Sequence, residues 1–179
     1  MSALRLELEA DSWAFALAVY ARPGVSEACL TLQSEAGVDV MLLLMAAFAA
    51  VKHRILLTAD EIKAMDEACR PWREHIVWRL RAIRTEMKTG LRPAPNSETE
   101  QFRSKVKALE LEAEKLENQL LVECLPLRRP ENEAAKGEQL RSVLNNVVML
   151  FADRRGTNLT ASCSSSIDII VKAAIQDVS

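Results

Sequence analysis

Glycine and proline are scarce in this chain, five and six among 179 residues, which fits helices joined by short turns. Longer absences exclude whole chemistries. No G-x-x-x-x-G-K, G-x-G-x-x-G or G-x-S-x-G occurs, so nucleotide binding and serine hydrolysis by their familiar routes drop away. The two histidines, His53 and His75, are 22 residues apart, and neither has a Cys, Asp or Glu at ligand spacing, so no metal site is expected. No D-D-x-x-D or E-x-x-H appears, which removes diphosphate-magnesium chemistry and the di-iron bundle. The four cysteines form no C-x-x-C pair, and three fall within amphipathic patterns as small buried hydrophobes. The net charge of −2 lacks the basic excess of a nucleic-acid binder. The N-terminus has neither a basic region nor an apolar one, so no signal peptide is expected and the cytoplasm is the expected compartment. Nothing in the sequence calls for a cofactor.

What is present is helical. Residues 40–51, V-M-L-L-L-M-A-A-F-A-A-V, are apolar on every side, and a helix of that kind belongs in a core. At about 1.5 Å per residue it reaches roughly 18 Å, too short to span a membrane. Asp39 can cap its start, and Lys52, His53 and Arg54 stand at its negative end. The expected fold is therefore an all-α bundle of six to eight helices around a central helix at about 39–53.

Around that centre, Asp11 or Ser12 can cap a first helix with Trp13, Leu17 and Tyr20 on one face, expected to be core. The alternating leucines Leu4, Leu6 and Leu8 suit an extended arm as well as a helix start. Pro23 opens a second helix that buries Val25, Ala28 or Cys29, and Leu32, and Gly37 closes it. Thr58 with Glu61 makes a capping box, and Pro71 predicts a kink or corner before helix resumes to residues 89 and 90. The stretch 91–96, L-R-P-A-P-N, reads as a linker. Ser97 with Glu100 forms a second capping box, and Phe102, Val106, Leu109, Ala113, Leu116 and Leu120 make a heptad seam, so the acids from Glu110 to Glu123 read as a solvated face. After a break at 125–130, helices are expected over 131–154 and from Ser165 or Ser166 onward, the latter supplying Ile167, Ile169, Ile170, Val171 and Ala174. Residues 1–124 form one expected domain, with 125–179 a helical extension on the same core.

The helix after Pro71 carries the most informative surface. Trp72, Ile76, Leu80, Ile83 and Met87 share an arc expected to face the core, and Arg70, Arg73, Arg81, Arg84 and Lys88 share the adjoining one, broken by Val77. Such a stripe calls for anions, supplied by the protein's own glutamates, by an acidic partner, or by a phosphate-bearing ligand. Trp78 stands off the core arc, as a packed indole or an interface anchor. Arg70, Arg73, Trp78, Arg81, Arg84 and Lys88 are thus the candidate binding residues, with no catalytic and no metal site.

The run W-A-F-A-L-A-V-Y-A-R-P-G-V-S-E-A-C-L-T-L-Q at 13–33, G-V-D-V-M-L-L-L at 37–44 and W-R-E-H-I-V-W-R-L-R-A-I-R at 72–84 resemble an uncharacterised, mainly proteobacterial family, a domain of unknown function, over about residues 11–122. The resemblance implies an all-helical cytosolic protein and carries no activity; the family position held here by Met41 is usually polar, often Asn. The leading expectation is a non-enzymatic helical module that binds a protein partner or itself, a homodimer included. The alternative is a binder of a small amphipathic anionic ligand, acyl or isoprenoid in type, in an apolar pocket beside the central helix with the cations at its mouth. A third reading is an enzyme of unfamiliar site that draws on Asp39, Glu74 and His75.

Overall fold

The computed structural model describes residues 3–88, 90–126, 128–129 and 137–176. Among these residues the secondary structure is helical: α1 (Ala3–Tyr20), α2 (Val25–Ala36), α3 (Val40–Lys52), α4 (Ala59–Trp72), α5 (Trp78–Glu86), α6 (Ser97–Cys124), α7 (Gly137–Arg155) and α8 (Ala161–Gln176), with a π-helical turn, Arg73–Val77, running α4 into α5. The expected all-α bundle is what forms. None of the described helices is long and apolar enough to cross a membrane.

The centre is α3, buried along its whole length from Met41 to Val51. Asp39 starts it, accepting a hydrogen bond from the Leu42 N–H at 2.6 Å. Helices α1, α6 and α7 all pack on α3, while α2 lies chiefly against α8. One buried cluster extends from Leu8 through α3 to Ala174, so α7 and α8 share the core of the helices before them. The second helix ends as its sequence predicts, with Gly37 at φ 74° and its N–H returned to Gln33 and Leu32.

Several local expectations are corrected. The first helix does not begin at Asp11 or Ser12 but at Ala3, because Leu8 joins Phe15, Ala16 and Val19 on a continuous buried stripe. Ser12 instead exchanges hydrogen bonds with Asn118 of α6. Of Trp13, Leu17 and Tyr20, Trp13 packs half-buried against the core, but Leu17 and Tyr20 are 49% and 40% exposed. The second capping box falls one residue early, Asn96 pairing reciprocally with Thr99 at 2.8 and 2.9 Å. Helix α8 starts at Ala161 rather than after Ser165, since the Thr160 hydroxyl accepts the Cys163 N–H at 3.1 Å, and Ile169 faces outward. Residues 131–136, Thr89, Leu127 and Pro130, which belong to expected helices or breaks, lie outside the described residues, as does the side chain of Leu4.

The largest revisions concern α4–α5 and α6. Pro71 supplies no N–H to the helix, and the chain continues through the wider π turn instead of breaking. Steps of four from Cys69 therefore stay in line, and Cys69, Arg73 and Val77 are the buried side, while Ile76 and Ile83 are 37% and 45% exposed. On α6 the heptad seam splits. Val106 and Ala113 are buried, but Phe102, Leu109 and Leu116 face outward, and Glu110 and Glu117 lie inward.

Candidate functional site

Glu110, Glu114 and Glu117 follow one another at spacings of four and three on α6, on the face that also buries Val106 and Ala113. Three elements bring charges to meet them. The π turn contributes Arg73, 1% exposed; α5 contributes Arg81 and Arg84; the cap of α3 contributes Asp39. Arg81 donates to Glu110 at 2.8 Å and to Glu114 at 2.5 Å, and Arg84 makes a two-pronged contact with Glu110. Arg73 hydrogen-bonds Asp66 of α4 and lies 3.6 Å from Asp39 and 3.7 Å from Glu117. The other Asp66 oxygen pairs with Arg154 of α7. The Arg73 guanidinium is flanked by the rings of Trp78 and Phe151, at 5.8 and 5.2 Å.

These placements set the ionisation of each group. Burial disfavours the charge on Glu110, yet hydrogen bonds from Arg84 and Arg81 outweigh it and hold its carboxyl below the usual range. Burial lifts Glu114. Glu117 is lifted furthest, to about 9, first by burial and then by the negative charge of Asp39. A shift in that direction favours its protonated form at neutral pH. Both of its oxygens are buried and neither has a hydrogen-bond partner.

Beside this ionic wall lies a cavity of about 480 Å³. Its apolar side comes from Trp13, Leu17 and Tyr20 of α1, Met41 and Leu44 of α3, and Leu111 of α6. Its charged side comes from Arg81, Arg84, Glu110, Glu114 and Glu117, with Asp39 at the cap. The cavity thus stands against the central helix with arginines in its wall, but the described contacts engage those arginines with α6 carboxylates.

The six sequence candidates part company here. Arg73 is in the core, Arg81 and Arg84 are in the cavity wall, and Trp78 covers Arg73 while lining a smaller cavity of about 350 Å³ with Arg155. Arg70 is half-buried on α4, and Lys88 is exposed after α5, where its charge acts on Glu100. Glu110, Glu114 and Glu117 were missed as site residues: the expected solvated face is instead the inner one. Their signal was positional, since Glu110 and Glu117 keep register with Val106, Ala113 and Leu121.

The model for a protein of unknown function (DUF2390) matches residues 11–121. The chain belongs to this family. Every residue lining the larger cavity, from Trp13 to Glu117, falls within the family match, whereas Phe151 and Arg154, which back the buried arginine, lie beyond it. No curated protein and no solved structure matches the chain.

Proposed function

We propose that this DUF2390 chain is a binding module that takes up a small amphipathic molecule in the cavity between α1, α3 and α6. One observation carries the reading: an opening of about 480 Å³, within the usual size of ligand sites, sets apolar side chains opposite a buried carboxyl that has no hydrogen-bond partner. An anionic ligand finds less support than the sequence suggested, because Arg81 and Arg84 are already paired. The four free cysteines suit a reducing cytoplasm.

The test is a thermal-shift panel of amphipathic metabolites read against Ala108→Trp, which fills the cavity from an exposed position of α6. A true ligand at 100 times its Kd raises the melting temperature by about 5–10 °C in a chain of this size. The variant should melt like the parent and lose the shift. A shift retained in Ala108→Trp places the ligand elsewhere.

A second reading, association with a protein partner or a second copy, is favoured by the outer row of α6. Phe102, Leu109 and Leu116 recur every seven residues with 57%, 51% and 46% of their surface exposed. Leu109→Glu with Leu116→Glu should then lower the sedimentation mass of the native species. An unchanged mass, with the parent monomeric, removes self-association.

A further inference from the structure

Glu117 lines the cavity while fully buried, and Arg73, 3.7 Å from it, also serves Asp39 and Asp66. Arg81 and Arg84 engage Glu110 and Glu114, while Arg73 and Arg154 engage Asp39 and Asp66. Four guanidiniums meet five carboxyl groups, and Glu117, 3.7 Å from the shared Arg73, is the acid that receives no hydrogen bond. It is faced by Arg73 from the π turn, Asp39 from the start of α3, Arg81 from α5 and Glu114 on its own helix, with the Cys69 thiol on α4. Tyr20 of α1 lines the same cavity, as does Lys107 from an exposed position of α6.

A buried acid that receives no hydrogen bond, and shares its one guanidinium, Arg73, with Asp39 and Asp66, selects its ligand by charge. An anion would meet Asp39 and Glu114 with both wall arginines already occupied. A neutral polar group could bond Glu117 but would leave it protonated. An ammonium supplies the missing positive charge and donors for both carboxyl oxygens at once. Resting on the cavity being the ligand site, we infer that the ligand is an amphipathic primary amine, its ammonium on Glu117 and its apolar part along Trp13, Met41, Leu44 and Leu111. The ammonium arrives charged, the Glu117 O–H gives its proton to solvent, and the resulting carboxylate pairs with the cation. One proton leaves for each amine bound. Amine affinity therefore rises with pH, by about tenfold per unit where Glu117 is protonated in the free protein and ionised in the complex.

The experiment is titration calorimetry on the full chain with n-octylamine, octanoate and 1-octanol, probes that share a chain length and differ at the polar end. Each is run in phosphate and in Tris, whose ionisation enthalpies differ. Octylamine should bind most tightly, release about one proton and strengthen about tenfold from pH 6 to pH 7. Glu117→Gln should weaken octylamine by about 10- to 100-fold, the loss of a hydrogen bond to a charged group, and abolish the proton release. Octanol should lose far less affinity than octylamine in Glu117→Gln. Ala108→Trp should block all three. Octanoate or octanol binding as tightly as octylamine, with the Trp variant blocking them, overturns the amine and keeps the cavity. Octylamine binding without proton release also overturns it, and this reading needs no variant to fold. Octylamine binding undiminished in Ala108→Trp overturns amine and cavity together, as does failure of all three probes.

Discussion

Arg73 and Glu117 lie 3.7 Å apart in the same buried cluster, yet removing each has opposite consequences. Arg73 is the cation against which Asp66 and Asp39 are held, and taking one partner from a buried pair costs about 3–5 kcal/mol. Arg73→Met should lose that much, seen as a lower urea midpoint. Glu117 is different because folding forces a proton on it. Its carboxyl titrates near 4.5 when unfolded and at about 9 when folded, so the native state binds more protons between those values. Stability linked to this group is full below about pH 4.5 and falls as pH rises towards 9. At pH 7 and above, Glu117→Gln keeps the shape of the protonated acid without that loss. It should be more stable than the parent by up to about 3 kcal/mol at pH 7, with the gap widening towards pH 9. Urea unfolding at pH 5, 7 and 9 measures it; a variant less stable than the parent at every pH would show the carboxylate, not the acid, to be the native form.

At the scale of elements, the π turn decides which face of α5 looks inward. A straight α-helix with the apolar arc inside would make Ile83 a core residue and Val77 a gap in a basic stripe. The observed order is the reverse, with Val77 at 2% exposure and Ile83 at 45%. Val77→Ala should cost about 2 kcal/mol and Ile83→Ala under about 0.5 kcal/mol. Chemical denaturation of the two variants checks the register, and the opposite ranking would refute it. This is also where the sequence stopped being legible. Helix α3 announced itself because every side was apolar, and its Asp39 cap followed from one residue. The caps at Thr58 and Gly37 were equally local. The burial of Glu110 and Glu117 was not local, since a glutamate turns inward only if a guanidinium from elsewhere meets it, here Arg84 and Arg81 for the first and Arg73 for the second. The stripe of cations and the row of acids were each visible; that a π turn would aim one at the other could not be read from either.

For the whole molecule, the decisive question is how the family region depends on the two helices beyond it. The cavity is built wholly within residues 11–121, yet α7 packs on α3 and α4, α8 packs on α2, and Arg154 supplies the second cation to Asp66. Leu140, Leu144, Val147 and Val148 are each 0% exposed, as are Ile167, Ile170 and Ala174. Removing α7 and α8 would open the central helix to water along one side and leave Arg73 without the Phe151 ring. At about 1.5–3 kcal/mol for each large apolar side chain taken out of its burial, the loss exceeds the whole stability of an ordinary domain. A chain ending at residue 126 should therefore keep helical circular dichroism but lose its cooperative urea transition and bind a hydrophobic dye. Adding the 137–176 segment back as a separate peptide should restore the transition in proportion to its concentration. A sharp, unaided transition in the shortened chain would instead make residues 11–121 a self-sufficient domain, and α7 and α8 a cover laid over it.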